Sequence, residues 1–258
     1  MTIISVKKAE TISALRQATW IRCSVFADEF DYLKADDYPA GHEVDGFDLL
    51  PTTVNFVGFV DGNPAATVRL LFPNPDVAAR CKTRLGLSIE LELELKGIRP
   101  DMVLAEIPRS SVVKEYRRTG IMRHLYNAAY QESIRHGSTH WIAAGNTETD
   151  NETDAWIVHR LLEARGFHLS AFDAIYRGDA RSPISPRYQL YDPVQRDQVI
   201  AGDIEGIELP RTLELFASMV GVRYFGSPFY DNQFRMFAMP LLLQLSDFEN
   251  TPYGSPAI

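Results

Sequence analysis

The chain has 258 residues, of which 45% are hydrophobic and 23% charged, which is the composition of an ordinary globular protein rather than a disordered or fibrous one. Its formal net charge is −8. Nucleic-acid binding needs clustered Lys and Arg to displace counterions from phosphates, so the acidic balance favours an enzyme of small molecules over a nucleic-acid partner.

The N-terminal region predicts no signal peptide, because its first charges follow a very short apolar run instead of preceding a long one. Residues 9–30 repeat apolar side chains at helical spacing, which predicts an amphipathic helix capped by Thr11 or Ser13. Residues 32–51 are rich in Asp, Pro and Gly and predict a loop. No later apolar run is long enough for a transmembrane segment, so the sequence predicts a cytoplasmic protein.

Strands and helices alternate along the rest of the chain. The predicted strands cover residues 54–60, 65–72, 102–113, 141–145, 167–176, 222–225 and 234–243. The further predicted helices cover residues 121–134, 155–164 and 213–219. Asp61-Gly62 predicts a tight turn that joins the first two strands into a hairpin. An alternation of Glu and Leu at residues 89–95 fits a helix or a strand equally well.

The chain shows no low-complexity linker, so its alternating elements predict one α/β domain over residues 1–258. Residues 1–176 would form its core, 177–208 an insertion, and 209–258 a C-terminal helix and strands. The insertion is inferred from three prolines that break regular structure, Pro183, Pro186 and Pro193.

Polar and aromatic residues follow one another in a distinctive order between the first helix and the strand at 102–113. They are Arg22, Phe26, Tyr32, Glu43, Asp45, Asp48, Arg69, Glu106 and Arg109. In order and spacing this set resembles the acyl-homoserine-lactone synthases, which make autoinducers for quorum sensing, and the related N-acyl amino acid synthases. The resemblance covers residues 20–145. It implies a GNAT-type fold, in which helices flank a mixed, mostly antiparallel sheet.

The resemblance also implies an activity. An N-acyltransferase of this type moves a medium or long acyl group from acyl carrier protein or acyl-CoA to the amine of a small molecule, without a tightly bound cofactor. S-adenosylmethionine is one acceptor, followed by lactone closure; an amino acid is another, giving an N-acyl lipid. Pro108 stands where the autoinducer synthases usually have Ser, and Tyr32 where they usually have Trp, which leaves the identity of the amine open.

In the resembled family, the matching positions build an ion-pair network around the amine pocket. The residues that this implies are Arg22, Phe26, Tyr32, Asp45, Asp48, Arg69 and Arg109. The alternative is a set of unconnected surface charges.

Attack of an amine on a thioester requires a neutral amine, whereas an α-amino group with a pKa of about 7.7–8.0 is mostly protonated at pH 7. A nearby carboxylate can take the proton directly or through a water. Glu106 is the first candidate for this base and Glu43 the second. Strict strand alternation would put Glu106 and Arg109 on opposite faces. Pro108 cannot donate to a ladder and predicts a bulge that brings the two together, and in GNAT folds such a bulge splays two strands around pantetheine.

A compact basic segment precedes the helix at 121–134. Arg117, Arg118, Gly120 and Arg123 are candidate contacts for phosphopantetheine or CoA, because a helix N-terminus offers N–H groups to phosphate. The segment resembles the GNAT pyrophosphate loop, although Met122 replaces its last small residue. The same segment could dock an acidic acyl carrier protein, and a solvated helix start is the third alternative.

Two other functions fit the sequence: a short-chain CoA-dependent GNAT acetyltransferase, and a non-catalytic relative that binds a ligand or a carrier protein. Neither the two cysteines nor the histidines, among them His159 and His168, follow a metal-binding motif. No metal site is predicted.

Overall fold

The computed structural model describes residues 2–178, 183 and 185–254. Its strands are β1 (Ile4–Lys8), β2 (Thr53–Val60), β3 (Asn63–Leu71), β4 (Leu93–Lys96), β5 (Leu104–Glu106), β6 (Ser111–Val112), β7 (His140–Asn146), β8 (His168–Leu169), β9 (Asp173–Tyr176), β10 (Arg223–Phe225), β11 (Phe229–Asp231) and β12 (Met236–Gln244). Its α-helices are α1 (Ile12–Cys23), α2 (Pro75–Cys81), α3 (Ile121–Arg135), α4 (Glu152–Ala164), α5 (Pro193–Ile200), α6 (Arg211–Leu215) and α7 (Leu245–Phe248). None of the described helices is long and apolar enough to cross a membrane.

The chain forms two compact units. The first contains Met1–Ser88, Asp101–Trp141 and Gln244–Ile258, and the second contains Ile89–Pro100 and Ile142–Leu243.

The first unit is an antiparallel sheet with a helix on each face. In it β1 pairs with β2, β2 with β3, and β3 with β5 and β6. Val57 of β2 packs with Ala18 and Ile21 of α1. The next residue, Gly58, faces α3, where an added Cβ would lie 2.8 Å from Ile121 Cδ1. Because successive strand residues point to opposite faces, α1 and α3 cover opposite sides of this sheet.

The second unit mixes parallel and antiparallel pairing. β12 is antiparallel to β10 and β11, β10 is parallel to β8, and β4 is antiparallel to β9. Helix α4 contributes Ala155 to a core cluster with Tyr230 and Phe237 of the two neighbouring strands β11 and β12.

Local signals account for the elements that the sequence predicted well. Thr11 caps α1, accepting a hydrogen bond from the Ala14 N–H, as one of the two predicted caps. Asp61 and Gly62 have φ of 49° and 82°, so the predicted hairpin turn with two left-handed residues is confirmed. Helix α1 is shorter than predicted, because a π-helical turn at Ser24–Glu29 replaces its last part.

Two predictions about secondary structure in the second unit are wrong. The strand predicted at 167–176 is two short strands, β8 and β9, which pair with different partners. The predicted insertion at 177–208 contains a regular helix, α5, which Pro193 begins instead of breaking. At the first helical position proline lacks only an N–H that the helix does not use, and Asp192 closes a capping box with Gln195. Residues 179–182 and 184 of that predicted insertion lie outside the described residues.

Candidate active site

The segment from β5 to β6, which pairs with β3, contains one extra residue near Pro108. Leu71 pairs with Glu106, and Thr67 pairs with Ser111. Three residues therefore separate the pairs on β3 and four separate them on the opposite strand. This is a β-bulge, and the predicted bulge is confirmed. The splaying of strands that the resemblance implies there stays a prediction.

The bulge decides which way the side chains around it point. Arg109 has φ of 61°, in the left-handed region that a non-glycine residue adopts at some energetic cost. Because one residue is added, the alternation reverses, and Glu106 and Arg109 both lie on the sheet face that carries Arg69. The Arg69 N–H donates to the Pro108 carbonyl at 3.3 Å, which holds the bulged segment against β3.

The acidic loop at residues 32–51 is hydrogen-bonded to α1 next to Arg22. The Glu43 N–H donates to the Thr19 carbonyl at 3.1 Å, and His42 Nδ1 lies 3.0 Å from Thr19 Oγ1. Arg22 Nη2 donates to the Glu43 carbonyl at 2.6 Å, and Arg22 Nε lies 2.6 Å from Glu43 Oε2. Arg22 also binds Asp48 with both terminal nitrogens, at 2.9 and 2.7 Å. The side chains of all three charged residues are 0% exposed.

Two further arginines extend this cluster. Arg69 Nη1 lies 2.7 Å from Asp45 Oδ1 and 3.3 Å from Asp48 Oδ1. Arg109 Nε lies 3.1 Å from Glu43 Oε1, and its Nη2 lies 3.7 Å from Asp45 Oδ2. We call these six residues the charge network: Arg22, Glu43, Asp45, Asp48, Arg69 and Arg109. Its three guanidinium groups balance its three carboxylates, so the network carries no formal net charge.

The network sets the ionisation of its members. Burial raises the pKa of Asp48, but the hydrogen bond and charge of Arg22, the charge of Arg69 and the N–H of Asp45 lower it further, so the pKa lies below its ordinary value. Burial lowers the pKa of Arg69, yet Asp45, Asp48 and Glu43 raise it more, so the pKa lies above its ordinary value. Both groups are held in their charged forms.

We expect Asp48 to make the protein acid-sensitive. A carboxyl whose pKa is lowered on folding stabilises the fold fully above its unfolded pKa, and that contribution is lost as the pH falls through the folded value. Urea unfolding should therefore show a free energy that falls steeply below about pH 4. Asp48→Asn should flatten this slope, whereas Asp36→Asn, at an exposed position, should not. Equal slopes in the wild type and Asp48→Asn would contradict the assignment.

The sequence did not single out two polar residues that contact the site. Asn55 is 6% exposed and lies opposite Arg69 in the ladder. Its Oδ1 accepts from Arg22 at 3.4 Å and its Nδ2 donates to Asp48 at 3.4 Å. In the sequence, the only indication of its role is that it is the single amide in an apolar strand pattern. The sequence does not reveal that Asn55 pairs with Arg69, however, because the register between β2 and β3 shifts between Gly58 and Phe59.

Ser88 is the second missed residue. Its hydroxyl donates to Glu106 Oε1 at 2.5 Å, and Glu106 is 3% exposed. Ser88 lies 18 positions from Glu106 in a segment without a distinctive pattern, so only the folded chain reveals this contact.

The predicted aromatic pair is brought together by the turn after the first helix. The Tyr32 N–H donates to the Phe26 carbonyl at 2.8 Å, and both side chains are partly exposed. Tyr32 also stacks on Phe30, with ring centroids 5.1 Å apart. Phe30 also meets a cation, since the Arg117 guanidinium lies 5.0 Å from its ring centroid.

The residues of the predicted phosphate-binding segment have different surroundings. Arg117 forms a two-point ion pair with Glu29, at 2.7 and 2.6 Å. Gly120, with φ of 85°, is the N-cap residue of α3, and Arg118 is exposed with φ of 71°. Arg123 lines a shallow groove of about 230 Å³ beside β1. Of this set, Arg118 is exposed beside the N-terminus of α3 and Gly120 begins that helix.

Comparison with known proteins identifies the class. Residues 21–127 match the Acetyltransferase (GNAT) domain, and this segment includes the whole charge network and Glu106. This segment is therefore similar to the Acetyltransferase (GNAT) domain, which supports an enzyme that transfers acyl groups other than aminoacyl groups. No curated protein matches it in sequence.

Solved structures confirm the fold. FeeM, an N-acyl amino acid synthase from uncultured soil microbes, is 9% identical with a TM-score of 0.50, and the match covers 98% of both chains. BjaI, a CoA-dependent acyl-homoserine lactone synthase solved with SAM and isopentyl-CoA, is 16% identical with a TM-score of 0.50, over 100% of this chain and 92% of BjaI. At these identities the likeness shows the GNAT fold alone. The predicted fold is confirmed.

Proposed function

We propose that this protein transfers a medium or long acyl group from acyl-CoA or acyl carrier protein to the α-amine of a compound with an amino-acid group, such as a free amino acid or S-adenosylmethionine. The observation that carries the proposal is a buried carboxylate, Glu106, on the same sheet face as the charge network. Buried ion pairs often stabilise a protein no better than apolar side chains of similar size would. A network this large therefore favours a role in a substrate pocket.

Glu106 is our choice of general base. Both oxygens of Glu43 are occupied by guanidinium groups, those of Arg22 and Arg109, so a proton could reach them only by breaking an ion pair. Glu106 Oε1 accepts from the neutral hydroxyl of Ser88, which can turn to donate elsewhere. Glu106 takes a proton from the ammonium group of the acceptor, and the free amine then attacks the thioester carbonyl.

The acyl group passes directly to the amine. A new C–N bond forms, the C–S bond breaks, and the thiol leaves with a proton. Cys23, beside Arg22, is an unsuitable nucleophile because it is 3% exposed, and burial, Asp28 and Glu43 raise the pKa of its thiol. We therefore propose no covalent enzyme intermediate.

Arg69 supports an acceptor that carries a carboxylate. Its Nε and Nη2 are buried and have no hydrogen-bond partner among the described residues. A buried donor without a partner costs about 1–3 kcal/mol. A carboxylate fits two such donors of one guanidinium. Amino acids and S-adenosylmethionine, the compounds associated with FeeM and BjaI, share an amino group next to a carboxylate.

The donor is bound at the start of α3 in this proposal. Acyl-CoA and acyl carrier protein both present phosphopantetheine, whose phosphate suits the N–H groups of a helix N-terminus. Arg118 and Gly120 are the contacts that we propose, with Arg117 positioning the segment through Glu29.

The test is acceptor-dependent thiol release. We expect the purified full chain to release thiol from octanoyl to hexadecanoyl CoA or carrier-protein thioesters when S-adenosylmethionine or an amino-acid mixture is present, and mass spectrometry to find an N-acyl product. The product mass also reports whether lactone closure follows. Release from acetyl-CoA alone would favour a short-chain acetyltransferase. No release from any pair would favour the non-catalytic relative, and either result would contradict the proposal.

A further inference from the structure

Three side chains with metal-binding atoms meet at the C-terminal end of α4. His159 and Glu163 lie one helical turn apart, and His168 follows on β8 after the turn at Gly166. Their ligand atoms all lie within 4.8 Å of one another, and within the described ranges of the chain no other group of three or more His, Cys, Asp or Glu does so. None of the three belongs to the charge network.

A backbone contact holds the ring of His168. Its Nε2 lies 3.0 Å from the Gly226 carbonyl oxygen. A carbonyl can only accept, so Nε2 carries the proton of the neutral ring and Nδ1 keeps its lone pair. Histidine ligands characteristically donate their other ring N–H to a carbonyl or carboxylate in this way, which fixes the ring and its tautomer.

The three side chains lie at distances close to those of a metal site. His159 Nδ1 lies 3.6 Å from Glu163 Oε2, and the His159 and His168 ring centroids are 4.8 Å apart. Bonds of about 2.0–2.1 Å in a tetrahedral site place ligand atoms about 3.3–3.4 Å apart. The ligand atoms of the group, up to 4.8 Å apart, must therefore approach one another on binding. Glu163 can contribute by rotation, because its side chain is 51% exposed, whereas that of His159 is 12% exposed.

We propose that His159, Glu163 and His168 bind a divalent transition-metal ion, with Zn²⁺ as the best fit, and that a water completes the coordination. Two imidazoles and one carboxylate suit zinc, cobalt and nickel, while Mg²⁺ and Ca²⁺ prefer oxygen ligands alone. The ion would tie the end of α4 to β8. This inference does not depend on the proposed acyl transfer.

The test is metal binding by the full chain after treatment with a chelator. Co²⁺ should bind at one equivalent and produce the visible absorption of a low-coordinate site, and Zn²⁺ should displace it. His159→Gln, His168→Gln and Glu163→Gln should each weaken Zn²⁺ binding about tenfold or more. Zn²⁺ should raise the Tm of the wild type but not of these variants, and Mg²⁺ should have no effect on any of them.

Matched variants decide between this site and scattered surface binding. His136, the C-cap residue of α3, also lies near a glutamate, with its Nδ1 3.8 Å from Glu132 Oε1. His136→Gln should bind Zn²⁺ like the wild type. Glu163 is exposed, so Glu163→Gln should fold normally. This variant keeps the test valid if a histidine variant fails to fold. Equal binding by the wild type and the three site variants, or equal loss in His136→Gln, would overturn the proposal.

Discussion

Glu106→Gln should lower kcat/KM for acyl transfer by about 10²–10⁴-fold, the usual contribution of a general base. Glutamine has nearly the same shape and can still accept the Ser88 hydrogen bond, but it cannot take a proton from the ammonium group. Thiol release with the donor and acceptor pair identified for the wild type measures the loss.

The pH profile separates a base from a structural carboxylate. An α-amine loses its own proton above about pH 8, so the defect of Glu106→Gln should shrink as the pH rises through that value. Glu132 is the matched control, since it is 4% exposed against 3% for Glu106 and is paired with Lys8 at 2.7 Å. We expect Glu132→Gln to change turnover by only a few-fold at every pH. A loss in Glu106→Gln that is independent of pH would argue against the assigned role.

Arg22→Met should lower the free energy of unfolding by about 3–5 kcal/mol, because it leaves two buried carboxylates without their main partner. Arg22 binds Asp48 through two hydrogen bonds and lies 2.6 Å from Glu43, and all three side chains are fully buried. Methionine fills a similar volume, so the loss reports the missing charge and not a cavity. Urea unfolding at pH 7 measures it.

The same helix provides the control for this prediction. Arg16, on α1, is exposed, and Arg16→Met should change the unfolding free energy by no more than about 0.5 kcal/mol. In a double-mutant cycle, adding Asp48→Asn to Arg22→Met should cost much less than Asp48→Asn alone, because the partner is already gone. Additive losses would mean that the two side chains do not act together.

Locally encoded features could be predicted from the sequence. The Asp61-Gly62 turn, the Thr11 cap and the helix predicted at 121–134 each depend on residues a few positions apart, and all three are present. Pro193 was misinterpreted although its signal is local, because a proline that begins a helix and one that breaks it look alike without the Asp192 cap.

Longer-range features could not be predicted from the chain. The shift between Gly58 and Phe59 places Asn55 opposite Arg69, and a register of this kind depends on how two whole strands twist and pack. The meeting of His159 with His168 depends in the same way on the turn between α4 and β8.

The sequence by itself determined which charged residues this protein has, their order, and the resemblance to N-acyl synthases that follows from that order. It also indicated a bulge at Pro108, because proline has no backbone N–H to donate to a ladder. Only the tertiary structure decided which charges pair. Glu43 and Arg109 are 66 positions apart, and an ion pair forms only when folding brings such groups within about 4 Å of each other. That pairing is our reason for proposing Glu106 and not Glu43 as the base.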